Sequence, residues 1–528
     1  MPASHWAYVS RLQGLALLAQ GHNSVPETFG GLPCRVILTR GWLGGSREAA
    51  FYWLAPLLRR LRIRLNPQPK SEKQQGGFMY PFTLSKVGVV VVFLSLFVFA
   101  QSETYAAALN HSSGSSAEVP AASVSEKLMI GTDMMRPVLY LMDIATDRMI
   151  TVDLSKDPKW PGGAPLHTVV TPDGTKTYLS VMSSEKDPLT ILALRINKVD
   201  WKAGTADVRI TNVMRVEEPG TSPSMPIPTE TDPSQPVTSL WKPSNQQLHG
   251  PTVHPSGRFV YFTQWTDNKI RVVDVSSDKV AASDPIQHGT FTRQMHGVFF
   301  NPTGTAALGT GYHFDINYVT LYSVDVQSGY LQLQKVIPLT VSEKNKEYAA
   351  FSHFVVWLDD RYAITSTQQT GPTSLTPRGF KVVGPSVWLV DAVEGKARMI
   401  IGPAKSPEEP GIYKPGSDIM VVRNKLYVAE EDSMDTEMNK SYLSIWDLTN
   451  RTAPKFIKRL GSGTGLPDDF DLSHELYLTR DGKHIYLQSW HSAHLVKIDT
   501  SSDTVVKVWS KQDGFHMPHG NFIPGNLR

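Results

Sequence analysis

The sequence predicts an all-β fold, a seven-bladed β-propeller whose N- and C-terminal strands complete one blade between them. Three observations predict it. Turn signals recur along residues 128–528: TPDG, HPSG, NPTG, LDDR, RNK and TRDG. Each is followed by a β-rich run (TYLSV, FVYFTQW, YAITST, LYVAEE, IYLQSW) and then by a second run ending at or near Asp (IRVVDV, VTLYSVD, VWLVD, LSIWDL, LVKID). No amphipathic helix longer than about two turns interrupts them. Strand, tight turn, strand, loop, strand, strand is the internal order of a propeller blade.

Taken in order, the first strands carry His167 (LHTVV), His249 (LHGPTV), His296 (MHGVFF), His353 (SHFVVW), Asp418 (SDIMVV), His474 (SHELYL) and His519 (PHGNFIP). That makes seven. The last has no following strands, while LMIGTDMMRPVLYLMDIATDRMITVDL at the start has later strands and no first one. Joining the two removes the exposed sheet edges that an open array leaves. The spacing is irregular because residues 200–245, rich in Pro, Ser and Thr, read as a long surface loop between the first two blades.

Upstream the reading changes. Residues 1–78 hold 10 Lys+Arg against 3 Asp+Glu, show no helical or strand period, and read as a mis-assigned upstream extension. From Met79 comes a secretory signal over 79–108: Lys86, an apolar run of 14 residues from Val87 to Ala100, and the small residues Ala106-Ala107-Ala108. The run is short for a membrane span of ~20 residues. Gln74–Phe78 are encodable as a bacterial ribosome-binding site before Met79. Residues 109–127 read as a flexible linker, and 128–528 as the single propeller domain. The localisation expected is periplasmic or secreted, in a bacterium, with membrane contact only through the signal segment.

Composition narrows the chemistry. Beyond residue 78 the balance is 42 Lys+Arg to 46 Asp+Glu, so nucleic acid is not an expected partner. The one cysteine, Cys34, precedes the signal. The propeller therefore has no thiolate ligand, cysteine nucleophile, disulfide or C-x-x-C-H haem attachment. No G-x-S-x-G, H-E-x-x-H, P-loop or dinucleotide fingerprint stands out, and neither haem nor nucleotide is expected.

What remains is imidazole. First strands of a propeller line its channel, so His167, His249, His296, His353, His474 and His519, with Asp418 at the seventh place, face one another across it. Loops joining second to third strands reach the same mouth with Asp133, Trp265, Asp267, Asn268, His313, Asp315, Glu430, Glu431, His491 and His494. Converging imidazoles suit a transition metal, copper more than zinc. His167, His249, His296, His353, His474, His519, His313 and His494 are the candidate ligands. Asp418, Glu430 and Glu431 are the candidate acid–base groups. His516 lies next to the ring. The competing use is structural, each imidazole bonding the neighbouring blade's backbone. His254, His288 and His484 read as surface residues, and Tyr178, Tyr261, Tyr486 and Trp357 as packing between blades.

The strand–PDG–strand pattern, with P-D-G or P-S-G before an aromatic strand, resembles the YVTN-type propeller repeats of secreted bacterial proteins, a family that hosts lyases, lactonases and binding proteins. The six-histidine ring is distantly similar to the propeller domain of nitrous oxide reductase, where blade histidines hold copper. The cupredoxin domain and cysteine ligands of that enzyme have no counterpart here. The reading is a metal-dependent, copper-type oxidoreductase acting on a small-molecule substrate, with or without a redox partner. The alternatives are a non-enzymatic YVTN-type propeller that binds a protein or glycan at the cell surface, and a lactonase-like enzyme.

Overall fold

The computed structural model describes residues 128–182, 188–217, 248–264, 269–288, 295–311, 316–368, 381–431, 441–479, 481–489, 492–516 and 518–519. Residues 1–78, the signal at 79–108 and the linker at 109–127 lie outside these. So do Trp265, Asp267, Asn268, His313, Asp315 and His491, and the side chain of His519. Among the described residues there is no α-helix, only two 3-10 turns at Leu154–Lys156 and Lys511–Asp513. Among these residues no helix is long and apolar enough to cross a membrane.

The strands form four-stranded antiparallel sheets, taken here in the order of their first, inner strands. The first sheet is Ala164–Val170, Thr177–Met182, Leu189–Asp200 and Thr205–Glu217. The second is Leu248–Val253, Phe259–Gln264, Lys269–Asp274 and Lys279–Val280. The third is Met295–Phe300, Ala306–Gly311, Tyr318–Asp325 and Tyr330–Pro338. The fourth is Ser352–Trp357, Tyr362–Thr367, Ser386–Asp391 and Lys396–Ile401. The fifth is Gly416–Val422, Lys425–Glu430, Tyr442–Asp447 and Lys455–Leu460. The sixth is Ser473–Leu478, His484–Ser489, Leu495–Asp499 and Thr504–Trp509. In the seventh, Pro518–His519 pairs with Leu128–Asp133, followed by Val138–Asp143 and Arg148–Asp153. A small eighth sheet, Thr340–Ser342, Glu347–Tyr348 and Lys381–Val382, was not anticipated from the sequence.

The core is distributed between the sheets, as a β-propeller requires. Each major cluster is shared by two successive sheets. Val169 and Tyr178 of the first sheet pack on Val260 and Phe262 of the second. Ile364 and Leu389 of the fourth pack on Ile419 and Leu426 of the fifth. Tyr477, Tyr486 and Trp509 of the sixth pack on Met129 and Tyr140 of the seventh, and Leu139 and Leu141 of the seventh pack on Leu179 and Leu192 of the first. Burying each large aliphatic or aromatic side chain contributes about 1.5–3 kcal/mol. Tyr178, Tyr261, Tyr486 and Trp357 are buried in these seams, as expected.

Polar clamps lock the outer edges of the seams. Lys176 bonds Asp278 at 3.0 Å and the Tyr178 hydroxyl donates to the same carboxylate. Lys425 at 2.7 Å and Tyr427 at 2.5 Å repeat this on Asp503, and Lys497 reaches Asp147 at 2.7 Å. All three aspartates stand in left-handed turns, with φ of 51°, 55° and 59° for Asp278, Asp503 and Asp147. Asp tolerates this conformation better than most residues.

The inner strands share a further irregularity. In six sheets the pairing of first and second strands slips by one residue: at 166–167, 250–251, 296–297, 353–354, 417–418 and 474–475. A β-bulge re-aims the side chains it carries. Here the carried or immediately preceding residue is the expected channel residue each time.

Gly250 shows why glycine follows His249. Its φ is +48°, and a Cβ there would lie 2.0 Å from the His296 carbonyl oxygen of the next inner strand. Only a residue without Cβ lets the two strands approach so closely. Gly250→Ala adds left-handed strain to this clash, and we expect a loss of about 2–4 kcal/mol. Urea unfolding of the two proteins measures it.

Candidate metal centre

The bulges bring five imidazoles together. The ring centroids of His167 and His249 are 4.2 Å apart, His249 and His296 4.2 Å, His296 and His353 3.8 Å, and His353 and His474 4.9 Å. Glu475 continues the series, its carboxylate 3.8 Å from His167 Nδ1. All these side chains are buried, their exposure between 1% and 8%. The backbone of His519 stands opposite Thr132, as that of His249 stands opposite Thr263.

Hydroxyls hold the inner strands in place. Thr263 donates to the His249 carbonyl at 3.1 Å and to the His296 carbonyl at 2.9 Å. Thr310 donates to the His353 carbonyl at 3.1 Å, Ser366 to that of Ser417, Ser417 to that of His474 at 2.9 Å, and Thr132 to that of Leu166 at 2.8 Å. Most of the inter-strand polar bonding thus comes from Thr and Ser. Two imidazoles share in it, His249 toward the His296 backbone and His353 toward the Ser417 backbone, which is the structural use weighed above.

Carboxylates complete the cluster. His474 Nδ1 donates to Glu431 Oε2 at 2.5 Å. His353 Nδ1 is 3.4 Å from Asp418 Oδ1, and Asp418 Oδ2 accepts the Leu476 N–H at 3.3 Å. Glu475, beside His474 in its bulge, is a site residue that the sequence reading missed. The register also refines Asp418. It is the second residue of its bulge, like His167 and Glu475, while Ser417 takes the first place, held elsewhere by His296, His353 and His474.

Burial sets the protonation. It pulls His249 down to about 3, with His474 adding repulsion. It also holds His296 and His353 well below the usual histidine value, with neighbouring imidazoles reinforcing the effect. His474 goes the other way. Burial lowers it, but Glu431, then Glu475 and Asp418, outweigh burial and raise it to about 9. Burial raises Asp418 well above the carboxylate range, with Glu475 and Glu431 adding to it and His474 opposing. At neutral pH the cluster therefore presents neutral imidazoles at His249, His296 and His353 and an imidazolium at His474, beside a carboxyl, Asp418, that burial biases toward its protonated form.

His296, His353 and His474 each offer a ligand atom within 4.8 Å of the others. This donor set fits a late transition metal. A carboxylate on the Nδ1 of a histidine, as Glu431 is on His474, is the usual support of a metal ligand.

Other expected site residues lie elsewhere. Glu430 does not join the centre: neighbours on a strand face opposite ways, and its carboxylate accepts the Tyr413 and Lys414 N–H groups at 2.9 and 3.1 Å and pairs with Arg459 at 3.2 Å. His494 sits by Asp469, 3.6 Å away, and against Phe470, in a separate group. Asp133 is tied to Arg136 and Tyr140 at 2.8 and 2.6 Å. The N–H of His516 donates to the Tyr140 hydroxyl. The three expected surface histidines are a correction. His254 is buried, bridging Ser256 at 2.7 Å and the Gly304 carbonyl at 2.8 Å of the next sheet. His288 and His484 are half-buried. These imidazoles are flat enough to serve as packing at the ends of seams.

No protein-family model matches the sequence, and no curated protein matches it. Among solved structures, the chain is similar to a periplasmic gluconolactonase of Pseudomonas aeruginosa. The identity is 12%, the match covers 74% of this chain and 97% of that one, and the TM-score is 0.48. It is also similar to hydrazine synthase of Kuenenia stuttgartiensis (15% identity, 67% and 88% covered, TM-score 0.43). A third is the Cps50 (Swd1) β-propeller domain of Myceliophteria thermophila (8%, 68% and 89%, 0.43). These likenesses concern architecture and carry nothing about activity.

The protonation pattern makes stability depend on pH. His249, His296 and His353 are depressed, so they take up protons only on unfolding as pH falls below ~6.5, and the fold loses stability there. Asp418, raised, binds its proton in the folded state and offsets one of the three. Three depressed histidines outnumber one raised carboxyl, so unfolding takes up protons on balance and stability falls as pH drops below ~6.5. His474, raised to about 9, stabilises fully below ~6.5 and loses that contribution as pH rises through 9, about 3 kcal/mol in all. Metal-free protein is expected to be most stable between about pH 6 and 7, as read by denaturant unfolding across pH.

Proposed function

We propose that the seven four-stranded sheets are the blades of one ring, closed where Pro518–His519 joins Leu128–Asp133, and that the ring holds a divalent transition metal at His296, His353 and His474 for the hydrolysis of a small cyclic ester. The observation that carries this reading is the His474–Glu431 hydrogen bond at 2.5 Å within a buried triad of imidazoles, where a metal would displace the second proton of His474. Imidazole donors suit copper and zinc alike, copper binding the tighter. A metal there supplies Lewis acidity toward a carbonyl oxygen.

The chain's own groups favour hydrolysis over the copper-type oxidoreductase expected from the sequence. Glu431 orients His474 and keeps a proton on its Nδ1. Asp418, biased toward its protonated form by burial and 3.4 Å from His353, is placed to give a proton to a leaving alkoxide. Glu475, beside His167, is placed to take one from water. A lactone is neutral and compact and carries no charge to desolvate in so buried a site. The copper-type reading rests on the donor set alone. The cell-surface binding alternative is favoured only by the two imidazoles that reach backbone. The apolar run Val87–Ala100 supports export to the periplasm or beyond.

The full chain is expected to retain one zinc or copper ion after dialysis, counted by mass spectrometry. A His296→Ala/His353→Ala variant with an unchanged β-type circular dichroism spectrum should lose it. Glu431→Gln should weaken metal binding about 10–100-fold. Lactone opening, followed by acid release in a pH-stat, should track metal content. A wild type that stays metal-free after zinc and copper reconstitution overturns the reading. Copper with oxygen uptake and no lactone opening would restore the oxidoreductase.

A further inference from the structure

Gln368 follows the second strand of the fourth sheet and is 7% exposed, and both its amide atoms are buried with no hydrogen-bond partner among the described residues. Leaving a buried polar atom unsatisfied costs about 1–3 kcal/mol, so such a group calls for an explanation.

The repeat says where the amide points. Along this strand Ile364 packs toward the fifth sheet, against Ile419 and Leu426. Two residues on, the Ser366 hydroxyl donates to the Ser417 carbonyl of that sheet's inner strand. Gln368 is next in the same alternation. The fifth sheet repeats the row one blade later. Tyr427 and Ala429 pack toward the sixth sheet, and Glu431 reaches His474. The backbones agree, since the Gln368 N–H donates to the Phe351 carbonyl at 3.0 Å and the Glu431 N–H to the Pro415 carbonyl at 2.8 Å. Gln368 thus holds in the fourth sheet the place of Glu431 in the fifth, turned toward the inner strand that bears Asp418. Gln488, opposite the His474–Glu475 bulge, is a second fully buried glutamine whose amide atoms have no hydrogen-bond partner among the described residues.

We infer that Gln368 is a substrate-binding residue of the centre and that the substrate is a neutral, hydroxyl-rich ring such as a sugar-derived lactone. This rests on the hydrolytic reading above. An amide offers two donors and one acceptor oxygen at fixed geometry. A hydroxyl group, itself both donor and acceptor, satisfies such an edge, while a phosphate or carboxylate uses only its donors. A bare hydrocarbon lactone would leave the amide unpaired and is selected against.

The test uses full-length wild type and Gln368→Leu, which keeps the volume and removes the amide. Glucono-δ-lactone is the hydroxylated probe and δ-valerolactone the bare one. Turnover is read by pH-stat, and binding by thermal shift with glucono-δ-lactam, a neutral hydroxylated ring that resists hydrolysis. Wild type should prefer the hydroxylated lactone, and Gln368→Leu should raise its KM about 10–100-fold without raising that of δ-valerolactone, metal content staying the same. If neither lactone is opened, yet the lactam shifts the melting temperature of wild type and not of the variant, the binding role stands and the hydrolytic reading falls. If δ-valerolactone is opened without a preference that Gln368→Leu alters, the hydrolytic reading stands and this inference falls. A variant that binds the lactam as wild type does, or a wild type that binds none, also overturns it. In those cases the leucine variant should simply be more stable, as removal of an unsatisfied buried amide predicts.

Discussion

A β-bulge breaks the ladder of an inner strand, and a broken ladder inside a protein leaves carbonyls that must be bonded elsewhere. In this propeller the neighbouring sheet bonds them. Thr263 bridges the carbonyls of His249 and His296, Thr310 reaches that of His353, and Ser417 that of His474. The same hydroxyls set the spacing of adjacent inner strands, and so the spacing of the imidazoles those strands carry. The fold's seams and its centre therefore depend on one kind of bond.

Close approach has an electrostatic consequence. Five imidazoles withdrawn from water cannot all carry charge, and burial settles most of them as neutral rings. His474 departs from this because Glu431 lies within hydrogen-bonding distance and Glu475 and Asp418 stand near. A group of identical side chains becomes a set of neutral donors around one imidazolium, beside a carboxyl whose proton burial favours. Such division of protonation among neighbours is typical of sites that move protons.

The centre also runs against stability. A buried polar cluster is costly where apolar residues of the same volume would pack without penalty. The seams around it are conventional, with Tyr140, Tyr178, Tyr261 and Tyr427 among the largest fully buried side chains. The outer clamps on Asp147, Asp278 and Asp503 join the sheets far from the channel. The scaffold is redundant where it only supports, which lets the channel carry groups that do not stabilise it.

By itself the sequence determined most strands of the main sheets and the convergence of His167, His249, His296, His353 and His474, because strand alternation and turn chemistry are local and repeat; it did not show the strand Thr205–Glu217, which lies in the stretch read as a loop. It also placed Tyr178, Tyr261, Tyr486 and Trp357 in the seams, since large aromatics on strands have few other places to go. It did not reveal Glu475 or Gln368, and it set Glu430 at the channel. Those outcomes turn on which of two adjacent residues faces inward, and a one-residue slip reverses that. Nor did it reveal that His254 is buried, because the carbonyl it bonds, Gly304, lies 50 residues away. Only the tertiary structure decided the pairing of Glu431 with His474 and the protonation that follows, since both depend on distance and on exclusion of water, which no local pattern encodes.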